Sequence, residues 1–264
     1  MTYEFLLQYF ELIYILYMKR KKSNSQKKSE PLHIQQLNKI IEFRKQNEAP
    51  VDEESHCEKE KDSVFRFQTL IGLILSSQTR DQQTTNAILS LQTLKGGFTP
   101  ENVAIQTKQT IKELIKSVSF ANTKADRIIE VAQICRDQYK NDIPETYEKL
   151  LELPGVGPKI ATLTMTMAWK EVVGIGVDVH IHRISNRIGW VSTKKPEQTA
   201  KKLQEMFPKE LWDPLDVALV GFGQVFCSAK KPKCQDCPIS STCSFNSGAS
   251  DIEDTYSEHS YDSN

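Results

Sequence analysis

The chain has 264 residues, 39% of them hydrophobic and 26% charged, which is ordinary for a globular protein with one large core or two modest ones and excludes a chain dominated by membrane spans. Its 34 basic and 34 acidic residues cancel, yet five of the acidic ones, Asp251, Glu253, Asp254, Glu258 and Asp262, lie in the C-terminal tail. Residues 1–244 therefore set 34 basic against 29 acidic groups, a mildly basic body that keeps a nucleic-acid partner open. Four of the six cysteines fall between Cys227 and Cys243, a clustering that points to a reducing compartment and a metal site rather than a disulfide scaffold.

Residues 1–18 are rich in Tyr, Leu, Ile and Phe, but Glu4, Gln8 and Glu11 interrupt any membrane-length apolar run, so no membrane partner is expected. The two acidic residues and the lack of early arginines fit a mitochondrial transit peptide poorly. Lys19-Arg20-Lys21-Lys22 and the polar residues after it read either as a solvated tether or as a nuclear-import signal. The expected location is the nucleus, with the mitochondrion as a second compartment, and residues 1–30 are expected to be a disordered leader.

From His33 the pattern turns helical, with Ile34, Leu37, Ile40 and Ile41 recurring at three and four residues. After a charged loop, Asn47 to Asp62, further helices are predicted over 64–75, 83–94, 107–118, 123–139 and 145–153. Sustained strand alternation is almost lacking, so the predicted fold class is all-α. Asp81 is the predicted N-cap of the helix that follows the polar loop containing Gln78. Phe120 puts an aromatic into the turn Val118–Lys124, either as a wedge for stacked bases or folded onto the core.

Leu153-Pro154-Gly155-Val156-Gly157-Pro158-Lys159 is the most informative stretch. Pro154 and the glycines stop one helix, and Gly155 and Gly157 are both expected to allow positive φ and close backbone approach. Pro158 suits the first turn of a new helix, which apolar spacing carries to Trp169. A hairpin of this kind turns free N–H groups and a positive helix end outward, as a phosphate site requires. Lys159 beside that end is expected to shed its proton more easily than a surface lysine, which would make it a nucleophile. On these seven residues alone, a corner with a solvated lysine is an equal reading.

Asp178, after Gly174 and Gly176, reads as the N-cap of a helix over 179–190, and its carboxylate could also face a cationic intermediate. His180 and His182, two apart on that helix, do not face one another, so neither suits a two-histidine metal site and each reads as a phosphate or core hydrogen-bond partner. Helices over 197–206 and 209–225 follow. The array Cys227-x6-Cys234-x2-Cys237-x5-Cys243 can wrap one centre, zinc or iron–sulfur, and its single Cys-x2-Cys knuckle favours a [4Fe–4S] cluster. The acidic tail, residues 246–264, is expected to be disordered.

The hairpin ending in Lys159, the aspartate 19 residues later and the cysteine spacing together resemble the endonuclease III family of DNA glycosylases and AP lyases, over roughly Ile34 to Phe245 and closer to its eukaryotic branch. The resemblance implies two helical domains flanking a DNA-binding cleft. One is a six-helix barrel with the helix–hairpin–helix, residues 59–171. The other is a discontinuous [4Fe–4S] domain made of residues 31–58 and 172–245. It implies Lys159 as nucleophile, Asp178 as catalytic carboxylate, and Cys227, Cys234, Cys237 and Cys243 as cluster ligands. It further implies DNA contacts at Gly155, Val156, Gly157, His180 and Arg183, with Gln78 filling the gap left by an extruded nucleotide and Phe120 wedging the opposite strand. Two positions depart from the family pattern: Val179 stands where threonine is usual and Ser119 where glycine is common. The implied protein is a monomer acting on double-stranded DNA with oxidised pyrimidines or abasic sites. The competing readings are a monofunctional mismatch glycosylase, which lacks a lysine at this position, and a non-catalytic helix–hairpin–helix module.

Overall fold

The computed structural model describes residues 30–49 and 62–247, and every regular element among them is helical. The leader, most of the loop after Asn47 with Cys57, and the tail beyond residue 247 lie outside the described residues. No helix among those described is long and apolar enough to cross a membrane. The chain divides into two compact units, Lys59–Gly176 and the pair of segments Met1–Glu58 and Val177–Asn264.

The Lys59–Gly176 unit begins with α2, Ser63–Ser76, α1 belonging to the other unit. Asp62 caps α2, its carboxylate accepting the Phe65 N–H at 2.8 Å. Then come α3, Asp81–Gln92, α4, Pro100–Ala104, α5, Lys108–Leu114, α6, Ala121–Gln138, and α7, Tyr147–Leu151. α8, Pro158–Thr164, runs directly into a π-helical turn, Met165–Trp169. The apolar stripe of α2, Phe67, Leu70, Ile71, Ile74 and Leu75, meets Ile128, Val131, Ala132 and Cys135 of α6 in one buried core. Each such Leu, Ile or Phe contributes about 1.5–3 kcal/mol by leaving water, so this stripe far outweighs a surface pair such as Lys108–Asp126. Arg66 adds a partly buried clasp, with Nε 2.9 Å from Asp142 Oδ1 and its guanidinium 4.4 Å above the Trp169 ring.

Some elements differ from expectation. Asp81 is the first residue of α3 rather than its cap; Arg80 holds the N-cap position without a side-chain bond. The helix predicted over 107–118 ends at Leu114. The short α4 went unpredicted although Thr99 caps it through the Asn102 N–H and Pro100 opens it. The last predicted helix is split into a 3₁₀ turn, Lys209–Leu211, and α11, Trp212–Val225.

The second unit joins α1, Leu32–Lys45, to α9, Val179–Ile188, α10, Pro196–Met206, and α11. Leu37, Ile40, Ile181, Ile184, Leu203, Leu215 and Leu219 are its core. Both sequence segments meet at Gln36, whose amide accepts from Trp190 Nε1 at 2.7 Å and donates to the Thr242 carbonyl at 2.8 Å. α9 is buried along most of its length, so its polar side chains need partners inside. His182 Nδ1 lies 2.6 Å from Thr199 Oγ1, and burial holds this imidazole below its ordinary pKa. Arg187 donates to the carbonyls of Ser228 and Ala229 at 2.7 and 2.6 Å.

Candidate functional site

In the Lys59–Gly176 unit, α7 and α8 form the hairpin. Leu153 and Val156 are buried and anchor the turn, which the Val156 N–H closes onto the Leu153 carbonyl at 3.1 Å. With its side chain inward, Val156 can offer a ligand only its backbone. Gly155 has φ +82°, whereas Gly157 has φ −99° and ψ 180°. The expectation of positive φ at both glycines is therefore corrected: only Gly155 needs the left-handed region, because it alone reverses the chain, and Gly157 is extended backbone open to any residue. Pro158 takes the first helical position, and Lys159 follows it, exposed in a first turn whose amides lack intrahelical acceptors.

Two loops of the same unit carry further predicted contacts. Gln78, with φ 52°, and Phe120, with φ 57°, are exposed non-glycine residues in the left-handed region, a conformation that costs about 1–2 kcal/mol each. The Phe120 ring stands 61% exposed instead of folding onto the core. Ser119 is not among the positive-φ residues, so a serine sits there without backbone strain.

In the other unit, Asp178 caps α9, its Oδ1 accepting the Ile181 N–H at 2.9 Å, and its side chain stays partly exposed. Val179 directs an exposed side chain outward. His182 is a core residue. Arg183 is buried, its Nη2 bonded to the carbonyls of Gly223 and Cys227 at 3.3 and 2.9 Å and 3.1 Å from His180 Nδ1. Its guanidinium is thus turned onto backbone carbonyls rather than to solvent, where the expected DNA contact would need it. His180 is half-buried against Gly223, where a methyl group would come within 2.7 Å of the imidazole.

After α11 the chain folds into a loop with 3₁₀ turns at Cys234–Asp236 and Ser240–Thr242. Cys227, Cys234, Cys237 and Cys243 line one hollow with Ile188, Phe222, Ile239, Phe245 and Arg187. Arg187 stacks 4.9 Å over Phe245 and brings Nη1 to 3.9 Å from Cys227 Sγ. Burial pushes the Cys227 and Cys234 thiols up and that of Cys237 to about 11. Four sulfurs lining one hollow fit a metal-cluster donor set, whose positive charge would favour their thiolate forms. Among the described residues, no three His, Cys, Asp or Glu side chains form a ready single-ion site. Cys135 sits in the core of the other unit with its thiol pushed up to about 12, an inert residue.

Sequence reasoning passed over Lys124. The signal was present: it lies on the buried stripe of α6 with Ala125, Ile128 and Val131, where a lysine demands partners.

Residues 71–209 match the family described as HhH-GPD superfamily base excision DNA repair protein, and the chain belongs to it. Within it the chain belongs to the endonuclease III family. It is 42% identical over 221 residues to endonuclease III homolog 1, chloroplastic, of Arabidopsis thaliana, covering 80% of this chain and 58% of that protein. It is 40% identical to endonuclease III-like protein 1 of Gallus gallus, covering 79% and 76%. A solved structure of a trapped endonuclease III–DNA covalent intermediate superposes with a TM-score of 0.70 at 26% identity, over 81% of this chain and 95% of that one.

Proposed function

We propose that the protein is a bifunctional DNA N-glycosylase and AP lyase that removes oxidised pyrimidines from duplex DNA and cleaves the resulting abasic site. The observation that carries the reading is Lys159, an exposed amine in the first turn of the second hairpin helix. A mismatch glycosylase without lyase activity, or a non-catalytic hairpin module, has no use for a nucleophile at this position.

In this reading the hairpin amides around Gly155–Gly157 hold a DNA phosphate. An extruded nucleotide presents its sugar, and the Lys159 nitrogen attacks C1′ as the C1′–base bond breaks and the base leaves with a proton. Asp178 stabilises the positive charge that builds on the sugar. The C1′–O4′ bond then breaks, O4′ taking a proton as the ring opens to the lysine Schiff base; this acidifies the C2′ proton, whose removal expels the 3′ phosphate by β-elimination, and water then releases the amine. Gln78 and Phe120 fill and wedge the space vacated in the stack. The four cysteines would hold a [4Fe–4S] cluster, whose contribution is to hold rigid the loop bearing exposed Lys230, Lys231 and Lys233. The basic run at Lys19–Lys22 supports nuclear import.

Borohydride reduction tests the mechanism, because it freezes the Schiff base as a stable amine. Wild-type protein should be trapped on a duplex with an oxidised pyrimidine, and Lys159→Gln should abolish trapping while leaving binding largely intact. Asp178→Asn retains a capping oxygen and should fold, but react about two to four orders of magnitude more slowly. Trapping of Lys159→Gln at the wild-type rate overturns the nucleophile, and a fully active Asp178→Asn reduces that residue to a cap.

A further inference from the structure

The loop bearing Gln78 and the turn bearing Phe120 are joined by one side chain. Lys124 is 4% exposed, and its Nζ donates to the Leu75 carbonyl at 2.8 Å, the Ser77 carbonyl at 2.6 Å and Thr79 Oγ1 at 3.0 Å. Three acceptors match the three N–H bonds of an ammonium. They flank Gln78 on both sides, and the Leu75 carbonyl lies in the last turn of α2, where positive charge is favoured. Thr79 Oγ1 also accepts the Ser119 N–H at 3.2 Å, and the backbone N–H of Lys124 bonds the Phe120 carbonyl at 3.0 Å in the first turn of α6. Gln78 and Phe120 are thus held by bonds that converge on Lys124 and Thr79.

We infer that Lys124 is a positioning residue for base extrusion, its ammonium coupling the Gln78 loop to the Phe120 turn so that both side chains enter the duplex as one preset unit. The inference rests on the reading of Gln78 and Phe120 given above. For core packing alone an apolar side chain would serve better at this buried place. Burial, with Arg127 nearby, works against the charge and pulls the Lys124 pKa down to about 8; the three acceptors on Leu75, Ser77 and Thr79 are what hold the ammonium in place. What the bonds hold in place is two exposed side chains in disfavoured backbone conformations, and those fill no core.

The test compares Lys124→Met, which keeps length without donors, and Thr79→Val, which removes the bridging hydroxyl at nearly constant shape. Single-turnover excision is measured on an oxidised pyrimidine in a paired duplex and in an unpaired bubble. Unstacking is followed by 2-aminopurine fluorescence on a duplex holding a tetrahydrofuran abasic analogue. Lys124→Met should lose about tenfold to hundredfold on the paired duplex, the scale of a displaced positioning group, and recover most of it in the bubble, where extrusion is already made. Thr79→Val should show the same pattern more weakly, and it carries the test if Lys124→Met does not fold. Equal losses on paired and unpaired substrates, or no loss in either variant, overturn the inference while leaving the proposed function standing. A wild-type protein that excises nothing overturns the function, and the fluorescence then still reports on the coupling: weaker unstacking in the variants supports it, unchanged or absent unstacking refutes it.

Discussion

Replacing Gly155 and Gly157 separately by alanine turns the hairpin geometry into numbers. At Gly155, φ +82° forces alanine into the left-handed region, at about 1–2 kcal/mol. The new methyl would also lie 2.8 Å from Arg127 Cδ. That atom belongs to an exposed, flexible side chain that can move aside, so the backbone term dominates. At Gly157, φ −99° and ψ 180° suit alanine, and no atom lies within 4 Å of the methyl position. Alanine there should stabilise by about 0.4–1 kcal/mol through a less disordered unfolded chain. The unfolded-chain gain is common to both substitutions, so the two variants should differ by the strain alone, about 1–2 kcal/mol, a gap in melting temperature of about 4–12 °C for a unit of this size. Thermal scans followed by circular dichroism measure it. A Gly157→Ala variant as unstable as Gly155→Ala, or a reversed order, would refute the argument. Gly157→Asp follows from the same geometry: with no strain at this position, it should weaken binding to damaged and undamaged duplexes alike through its charge, and the loss should shrink as salt rises.

The purified protein should be brown, with about four irons and four sulfides per chain; colourless protein with one zinc defeats that expectation. Cys234→Ser should lower stability and DNA affinity more than the rate of the chemical step, measured as single-turnover cleavage at saturating protein, because the loop presents Lys230, Lys231 and Lys233. Lys124 predicts a pH dependence. Its folded pKa of about 8 lies below the ordinary 10.5, so between these values the unfolded chain binds more protons and stability rises with pH. Melting temperatures of wild type relative to Lys124→Met should climb across that window, and parallel curves would contradict the shift.

The family was legible because its chemistry is local in sequence. A nucleophile needs its hairpin, a cap needs its helix start, and four thiols on one loop need only their spacing. Helical periodicity likewise revealed most of the elements, since a stripe of Ile and Leu at three and four residues has to be buried by something. It missed α4, whose five residues are too few to show a period, although Thr99 and Pro100 marked its start.

The sequence by itself determined the helical class, the hairpin and the cysteine array, since each depends on neighbours within a few residues. Only the tertiary structure decided which glycine turns left-handed, that Phe120 faces solvent, and that Arg183 faces inward. It also decided that Gln36 ties Trp190 to Thr242 and that Lys124 meets two carbonyls and a hydroxyl 45 to 49 residues away. A buried polar group is specified by the partners that meet it in space, and those partners are set by how helices distant in sequence come to pack.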